Sequence, residues 1–386
     1  MLKRFVSVLA ITTLFLSGCI GVLEKEEEII VIEDTEDDEQ VIISPNLNTP
    51  ENYYRTVLHE GDYRHSEARG LVPHAVFNRI DINQLEIGLM ELASTRFSQN
   101  QYFFQEGQYL EGSLINRWLR RYNPEMESHR EGLNPPLGEG DTEREKHENQ
   151  PSYLSHIMEH NYLKGVEDGG SLELGGLVLG ISLNSMYYYQ TEVGGPSFEV
   201  PLDEEDILAE GKRIAIEVLN RVRERDNLAN VPIMIALYKE EVRRSLVPGT
   251  FMAMTVIEPG KRIERWETIN EAYYFYPSRQ ATQDFREDAN RFANFKQDID
   301  GFFDNYVGVV GKGRYKNDQL QELTITINLQ TSSKAEIIAM SQYITDRMKK
   351  HFPTTLTVQI YLTSLEGAES IIVRHSEQEP FVHIYR

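Results

Sequence analysis

Two stretches of the chain show the same succession of apolar and polar positions. Residues 177–183 and 323–329 have the apolar alternation of β-strands. An amphipathic helix follows each of them, at about 204–225 and at 334–350, with apolar residues repeating every three, four or seven positions on one face. The shared order of elements in the two halves predicts an internal repeat.

Each of these helices leads into two further predicted strands. They lie at 233–238 and 251–257 in the first half and at 356–362 and 370–375 in the second. The order helix, strand, strand, helix, strand, strand therefore occurs twice. This order predicts an α+β fold of two tandem repeats, each a mostly antiparallel sheet with helices on one face.

The two repeats have different lengths. The first is predicted to span 52–265 and the second 266–386, and the first carries a long insertion near 112–171 that is rich in Glu, Gly, Pro and Asn. Long loops on rigid scaffolds often form binding surfaces. The candidate binding loop in this insertion consists of Gly132, Leu133, Asn134 and Pro135.

The first 18 residues have the pattern of an export signal. Two basic residues precede the apolar run 5–16, and small residues follow it up to Cys19, the only cysteine of the chain. The run is shorter than the roughly 20 apolar residues that a membrane span needs. The sequence Leu16-Ser17-Gly18-Cys19 is a lipobox, which predicts cleavage between Gly18 and Cys19 and a diacylglyceryl group on Cys19. The alternative is a buried free cysteine next to an ordinary signal.

The segment after the lipobox is strongly acidic. Residues 19–51 contain runs of Glu and Asp with few aromatic residues, which predicts a lipidated, flexible tether. Two apolar patches, 29–32 and 41–43, support an alternative in which part of this segment adds a strand to the following domain.

The charge of the chain excludes one class of partner. The formal net charge is −22, and a surface of this sign repels nucleic acid. The expected partners are membrane lipid, through the Cys19 anchor, and a peptide, protein or cell-envelope ligand that the sequence does not name. The expected location is the extracytoplasmic face of the cell membrane. No phosphate-binding or dinucleotide-binding glycine pattern occurs, so no cofactor is expected.

One motif suggests a catalytic alternative. His156-Ile157-Met158-Glu159-His160 fits the H-x-x-E-H pattern of zinc hydrolases. On a helix, His156 and His160 would lie on one side and could bind zinc while Glu159 activates a water. A metal-dependent hydrolase is the alternative function, and a solvent-facing helix without metal is the preferred interpretation.

Aromatic residues form two further candidate features. Trp118 lies in a predicted amphipathic helix with a basic edge, where core packing is preferred over contact with a membrane surface. The tyrosines at 187–189 and at 273, 274 and 276 could form an aromatic ligand shelf, although tyrosines at strand ends more often close a core.

Several motifs together resemble the CamS family of Gram-positive lipoproteins. These motifs are the lipobox leader, the Gly-Leu-Asn-Pro loop at 132–135, Tyr153-Leu154-Ser155 before a predicted helix, the segment 184–189 after a strand, and the closing Val382-His383-Ile384-Tyr385. The family consists of sex pheromone precursors with two tandem repeats. The resemblance implies a non-enzymatic protein and gives no support to a metalloprotease.

The resemblance also implies a role for the leader. In this family the cleaved signal peptide is trimmed to a hydrophobic peptide that ends just before the lipid-bearing cysteine. The corresponding octapeptide here is Ile11-Thr12-Thr13-Leu14-Phe15-Leu16-Ser17-Gly18, or the heptapeptide that lacks Ile11. The alternative is that the leader is simply degraded.

Overall fold

The computed structural model describes residues 30–33, 40–45, 53–71, 81–165, 171–225, 227–302, 308–330 and 333–386. The predicted signal peptide, with the candidate peptide Ile11 to Gly18, and Cys19 lie outside these residues. No helix in the described ranges is long and apolar enough to cross a membrane.

Seven α-helices lie in the described ranges. They are α1 (Ile82–Ala93), α2 (Gly112–Trp118), α3 (Glu143–Asn149), α4 (Glu204–Arg223), α5 (Arg279–Asp284), α6 (Arg286–Phe302) and α7 (Lys334–His351), with a short 3-10 helix at Glu127–His129.

The strands of the first half form one large sheet and two small ones. They are β1 (Ile30–Glu33), β2 (Gln40–Ile43), β3 (Val57–His59), β4 (Phe103–Glu106), β5 (Leu154–Gly165), β6 (Leu172–Leu183), β7 (Met186–Gln190), β8 (Ser197–Pro201), β9 (Ile233–Lys239), β10 (Thr250–Ile257) and β11 (Glu267–Thr268). The first sheet has the order β11-β10-β9-β6-β5-β4, and β7 and β8 pair separately.

The second large sheet follows directly. Its strands are β12 (Glu271–Tyr276), β13 (Gly308–Lys316), β14 (Gln319–Asn328), β15 (Thr357–Ser364), β16 (Gly367–Arg374) and β17 (Phe381–Ile384), in that order. Each sheet has one parallel pair, β6 with β9 and β14 with β15, among antiparallel neighbours. The predicted α+β class and the mostly antiparallel sheets are confirmed.

The first sheet is covered by helices on both faces. Ile214 of α4 packs on the face that carries Leu179, whereas Leu89 of α1 packs on the opposite face, at Gly180. A Cβ on Gly180 would lie 2.6 Å from Leu89 Cδ1. The prediction of helices on one face is therefore wrong for this sheet, because its central strands are apolar and buried on both sides.

The second sheet is covered on one face only, as predicted. Phe295 of α6 and Ile344 of α7 pack in one core against inward side chains such as Ile325. The outward residues of the same strands, such as Thr324 and Gln359, are polar and partly exposed. The alternation along these strands produces one buried face and one open face.

The predicted insertion is shorter than 112–171. α2, the 3-10 helix and α3 occupy it up to residue 153, but β5 then pairs with β4 and β6 within the first sheet. Trp118 is buried in the core, with the Arg221 guanidinium 5.5 Å from its ring centre, so the preferred core interpretation is confirmed.

Part of the acidic segment belongs to the fold. β1, β2 and β3 form a three-stranded antiparallel sheet. Ile43 is fully buried, and Val41 packs with Val57 and Leu163. The apolar patch 41–43 therefore adds a strand to the fold. This is the alternative that the sequence offered to a wholly flexible tether.

Candidate ligand-binding cleft between the two sheets

A cleft of about 620 Å³ lies between α1 and the open face of the second sheet. α1 buries Leu85 and Leu89 in the first half of the molecule. Its other side presents Gln84, Ile87 and Glu91, which are spaced by about one helical turn and line the cleft. One helix therefore serves both the core and the cleft wall.

The floor of the cleft is a grid of side chains on three adjacent strands. The register of β13, β14 and β15 places them in two rows, Lys312, Thr324 and Gln359 in one and Arg314, Glu322 and Thr357 in the other. Because side chains on one face of a sheet lie at every second residue, all six point toward α1.

Arg314 connects the two walls. Its Nε donates to Glu271 Oε1 at 2.6 Å and its Nη2 donates to Glu91 Oε2 on α1 at 2.7 Å, while Nη1 lies 3.4 Å from Glu322 Oε1. The Arg314 side chain is only 12% exposed. Burial by itself raises the pKa of Glu91, but Arg314 and Lys316 outweigh burial and lower it. These residues, Arg314, Glu91, Glu271 and Glu322, are called the Arg314 cluster below.

Two further contacts hold the walls in place. Gln84 Nε2 donates to the Tyr273 hydroxyl at 2.6 Å, and the amide of Phe251 donates to Glu271 Oε2 at 3.2 Å. Burial of Tyr273 between the walls raises the pKa of its hydroxyl, which stays protonated at neutral pH. α1 and β10 are thus fixed to β12 and β13.

The amide side chains that line the cleft outside the Arg314 cluster suit hydrogen bonding to an uncharged ligand. The acidic and basic residues of the Arg314 cluster pair with each other, whereas Gln99, Gln359 and Gln378 offer amide donors and acceptors. Ile87, 48% exposed, and the neighbouring Met90 add apolar contact surface. The lining also carries Lys312, whose Nζ lies 5.9 Å from the centre of the Tyr273 ring. A cleft of this size that combines apolar surface with placed polar groups is typical of small-ligand sites.

The proposed zinc motif does not form a site. Residues 156–160 are buried in strand β5, so the preferred interpretation of a solvent-facing helix is wrong as well. The helix predicted after Tyr153-Leu154-Ser155 is this same strand, which begins at Leu154. Successive side chains of a strand point to opposite faces, so Glu159 points away from His156 and His160. Burial lowers the pKa of His156 to about 4 and that of His160 to about 3. In the described part of the chain no group of three or more His, Cys, Asp or Glu is placed to hold a metal.

Glu159 has a structural role. Its carboxylate accepts hydrogen bonds from the amides of Tyr109 at 3.1 Å and Leu110 at 2.8 Å. A Cβ on Gly107 would lie 2.5 Å from its Cβ, so the turn after β4 passes directly over it. Glu159, which the motif suggested as a water-activating base, instead fixes this turn.

Asn134 of the candidate binding loop is buried and fully bonded. Its Oδ1 accepts from the amides of Tyr153 at 2.9 Å and Leu154 at 2.8 Å. Its Nδ2 donates to the carbonyls of Leu119 and Leu154, both at 2.9 Å. The side chain therefore joins the insertion to the start of β5.

The rest of this loop is also held against the core. A Cβ on Gly132 would lie 2.6 Å from the carbonyl oxygen of Arg120, and Leu133 is buried. Arg121 Nη1 donates to the carbonyl of Pro135 at 2.9 Å. The loop forms the wall of a separate cavity rather than a projecting arm.

The six candidate tyrosines do not form one shelf. Those at 187–189 lie in β7, whereas Tyr273, Tyr274 and Tyr276 lie in β12 of the second large sheet. Of the six, Tyr273 lines the cleft, and Tyr276 is buried in the second core.

Apart from Tyr273, the sequence did not predict the residues that line the cleft. Gln84, Ile87 and Glu91 form a second stripe on α1, and Thr324 alternates with buried neighbours on β14. Each pattern indicates an exposed face, but neither indicates that the two faces meet.

These features define a class, an α+β protein of two mixed sheets with a cleft between them. The chain belongs to the CamS family, because a family model described as "CamS sex pheromone cAM373 precursor" matches residues 63–380. The resemblance inferred from the sequence is thereby confirmed. Comparison with curated protein sequences gave no match.

Two solved structures support the same assignment. The crystal structure of a sex pheromone precursor from Lactobacillus salivarius subsp. salivarius UCC118 is 31% identical, with a TM-score of 0.79 over 90% of this chain and 99% of that one. The C-terminal domain of the sex pheromone staph-cAM373 precursor from Staphylococcus aureus is 30% identical, with a TM-score of 0.69 over 79% of this chain and 96% of that one.

Proposed function

We propose that this CamS family member is a lipid-anchored, non-enzymatic binding protein of the extracytoplasmic face, and that it binds its ligand in the cleft between α1 and the second sheet. The observation that carries the proposal is the cleft itself, about 620 Å³ between walls that ion pairs hold in place. Binding requires no catalytic group, and the cleft supplies hydrogen-bonding amides and an apolar patch.

The ligand that fits this chemistry best is a short, uncharged peptide segment. Side-chain amides such as those of Gln99 and Gln359 pair well with backbone N–H and C=O groups, because both kinds of amide donate and accept. Ile87 and Met90 offer contact to an apolar side chain of the peptide. The three carboxylates of the Arg314 cluster are balanced by Arg314, Lys316 and Lys312, which leaves little attraction for a highly charged ligand.

The cleft proposal is tested with full-length protein in an uncharged detergent. The protein is dialysed against a pool of random hexapeptides, and retained peptides are identified by mass spectrometry. Ile87→Lys places a charge in the cleft and is expected to abolish the enrichment. The matched control is Ile216→Lys on α4, because Ile216 is equally exposed, at 50% against 48%.

The two variants make the outcomes distinct. Enrichment by the wild type and by the Ile216 variant, but not by the Ile87 variant, would support the cleft. Equal enrichment by all three proteins, or none by the wild type, would overturn the proposal of a peptide site there.

The leader supports a second part of the proposal. We infer that Cys19 carries the diacylglyceryl anchor and that the cleaved leader releases the octapeptide ending at Gly18, or the heptapeptide without Ile11. Family membership and the lipobox support this inference. An uncharged apolar peptide of this length partitions toward a hydrophobic receptor groove yet is too short to span a bilayer.

Mass spectrometry of producing cells and their medium tests the leader directly. The expected findings are diacylglycerol on Cys19 and a peptide ending at Gly18. Cys19→Ser is the control, and it should abolish both the lipid and the peptide. Lipidated Cys19 with only shorter leader fragments would contradict the pheromone part, and unmodified Cys19 would contradict the anchor. Neither result would affect the cleft experiment.

A further inference from the structure

A second cavity, of about 400 Å³, lies in the insertion on the first half of the molecule. The end of α2, the loop after Gly132, α3 and β7 surround it. Its lining includes Arg120, Arg121, His129, His147, Tyr187 and Tyr188. None of the residues that line it is Asp or Glu, although the chain contains 61 acidic residues against 39 Lys and Arg. The cavity is therefore locally cationic on a strongly acidic protein.

Arg121 is oriented without a carboxylate. Its Nη2 donates to the Tyr187 hydroxyl at 2.9 Å and its Nη1 donates to the Pro135 carbonyl at 2.9 Å. Its guanidinium carbon lies 5.2 Å from the centre of the Tyr187 ring. Among the described residues the partners of this guanidinium are neutral groups, which fix it in place and leave its charge unneutralised.

Arg120 adds a second cationic group to the lining. Within the described part of the chain, its guanidinium has no hydrogen-bond or ion-pair partner. Its backbone is fixed, since its carbonyl accepts from the amide of Asn134 at 3.1 Å. The structure thus provides two neighbouring arginines that no carboxylate neutralises.

The acidic side chains of α3, which borders the cavity, are bound elsewhere. Glu143 pairs with Lys146 at 2.6 Å, and Glu148 pairs with Arg144 at 2.7 Å and accepts from the Tyr189 hydroxyl at 3.1 Å. Glu145 caps the helix by accepting from the amides of Asp141 and Thr142. His147, on the same helix, bonds the Tyr187 hydroxyl through Nδ1 at 2.6 Å. The helix therefore turns its histidine, and not its carboxylates, toward the cavity.

We propose that this cavity binds the oxyanion group of a small ligand, a phosphate or a carboxylate, between Arg120 and Arg121. A guanidinium matches the planar spacing of two oxyanion oxygens and binds them by charge-assisted hydrogen bonds. A volume of about 400 Å³ admits a small ligand or one unit of a larger polymer. The site is separate from the cleft and does not depend on the cleft's proposed role.

Isothermal titration calorimetry on full-length protein in uncharged detergent, at low ionic strength, tests this proposal. The probes are inorganic phosphate, glycerol phosphate and acetate. Arg120→Gln is expected to weaken binding at least about tenfold, the scale of one lost charge-assisted hydrogen bond. The matched control is Arg262→Gln, an exposed arginine outside the cavity, which should bind as the wild type does.

A second variant leaves both arginines in place. Tyr187→Phe removes the hydroxyl that orients Arg121 Nη2, and it should weaken binding about threefold while the melting temperature stays near that of the wild type. If the phosphate probes bind more tightly than acetate, the oxyanion of the natural ligand is assigned to a phosphate ester. If acetate binds more tightly than the phosphate probes, it is assigned to a carboxylate.

Three results would overturn the proposal. These are no binding of any probe, wild-type binding by the Arg120 variant, and equal weakening by the Arg262 variant, which would indicate unspecific charge attraction.

Discussion

The two large sheets of this protein share a topology but differ in how they are covered. In each, a parallel pair lies between antiparallel strands, and Leu177 beside Ile233 corresponds to Leu323 beside Val358. The first sheet is buried on both faces, whereas the second leaves a polar face open toward α1. The pattern of side chains along the strands, and not strand order, therefore decides that one sheet is buried on both faces and the other keeps an open polar face.

One pair of equivalent positions illustrates this difference. Gly180 and Thr326 each lie three residues beyond the equivalent leucines, Leu177 and Leu323, of their sheets. Gly180 allows Leu89 of α1 to approach the first sheet closely. Thr326 lies on the open face, partly exposed. The missing Cβ in the first sheet makes room for the helix that also forms the cleft wall.

The largest expected effect comes from removing the residue that connects the two halves. Arg314→Ala leaves Glu271, whose side chain is 2% exposed, without its ion-pair partner. Loss of a buried partner typically costs about 4 kcal/mol of unfolding free energy. Urea denaturation at neutral pH measures this loss of unfolding free energy. Arg291→Ala, which breaks an exposed ion pair within α6, should cost under about 0.5 kcal/mol, and equal losses would contradict the special position of Arg314.

The next effect separates the two sheets directly. Gly180→Val places methyl groups where Leu89 packs and should destabilise the protein by about 3 kcal/mol. Thr326→Val, at the equivalent open position, should change stability by no more than about 0.5 kcal/mol. The urea concentrations at which the two variants are half unfolded measure the difference in their stability. Similar midpoints would show that the first sheet is not packed as tightly as the structure indicates.

A buried carboxyl at the end of β9 makes the first sheet sensitive to pH. Burial raises the pKa of Glu240 from 4.5 to about 8, although Ser155 Oγ donates to both oxygens at 2.9 Å. Between these values the folded state holds a proton that the unfolded state has lost, so the unfolding free energy falls as pH rises. Glu240→Gln should equal the wild type near pH 4.5 and exceed it by roughly 2 kcal/mol at pH 6, with a larger difference at pH 8.

The neighbouring residue provides the control for this titration. Glu241→Gln removes a partly exposed carboxylate next in the chain and should leave the pH dependence unchanged. Thermal melts of the two variants and the wild type from pH 4.5 to 8 are sufficient. A wild-type slope retained in the Glu240 variant would assign the pH dependence to other groups.

The smallest expected effect concerns a single hydrogen bond across the cleft. Gln84→Ala removes the bond to the Tyr273 hydroxyl and should cost about 1 kcal/mol. Asn83→Ala, at an exposed position of the same helix, provides the matched comparison of helix propensity. If the two variants have the same urea midpoint, the contact between α1 and β12 contributes nothing measurable.

The sequence was sufficient for the α+β class and for most central elements, because their apolar periodicity is long and regular. It failed at 156–160, where His156, Glu159 and His160 have a spacing that also fits a helix. In this strand, which is buried on both faces, Glu159 instead bonds the amides of Tyr109 and Leu110, which lie far from it in the chain. A short stretch of sequence does not distinguish a zinc motif on a helix from a strand that is buried on both faces.

The cleft was beyond prediction for a different physical reason. The partners of Arg314 lie 8, 43 and 223 residues away in the chain. Strand pairing within the second sheet brings Glu322 and Glu271 beside it, and the packing of the two halves adds Glu91. Local patterns predict which residues face outward. They do not predict which outward faces meet, since that depends on the packing of α1 between two sheets.

The Arg314 cluster also has a consequence for kinetics. Because ion pairs and hydrogen bonds already fix α1 to the second sheet, opening or closing of the cleft would require several of them to break. A ligand should therefore enter a site that is formed in advance, with an association rate constant of about 10⁵–10⁷ M⁻¹s⁻¹. The observed rate should rise linearly with ligand concentration and reach no plateau, as expected when no slow rearrangement limits binding.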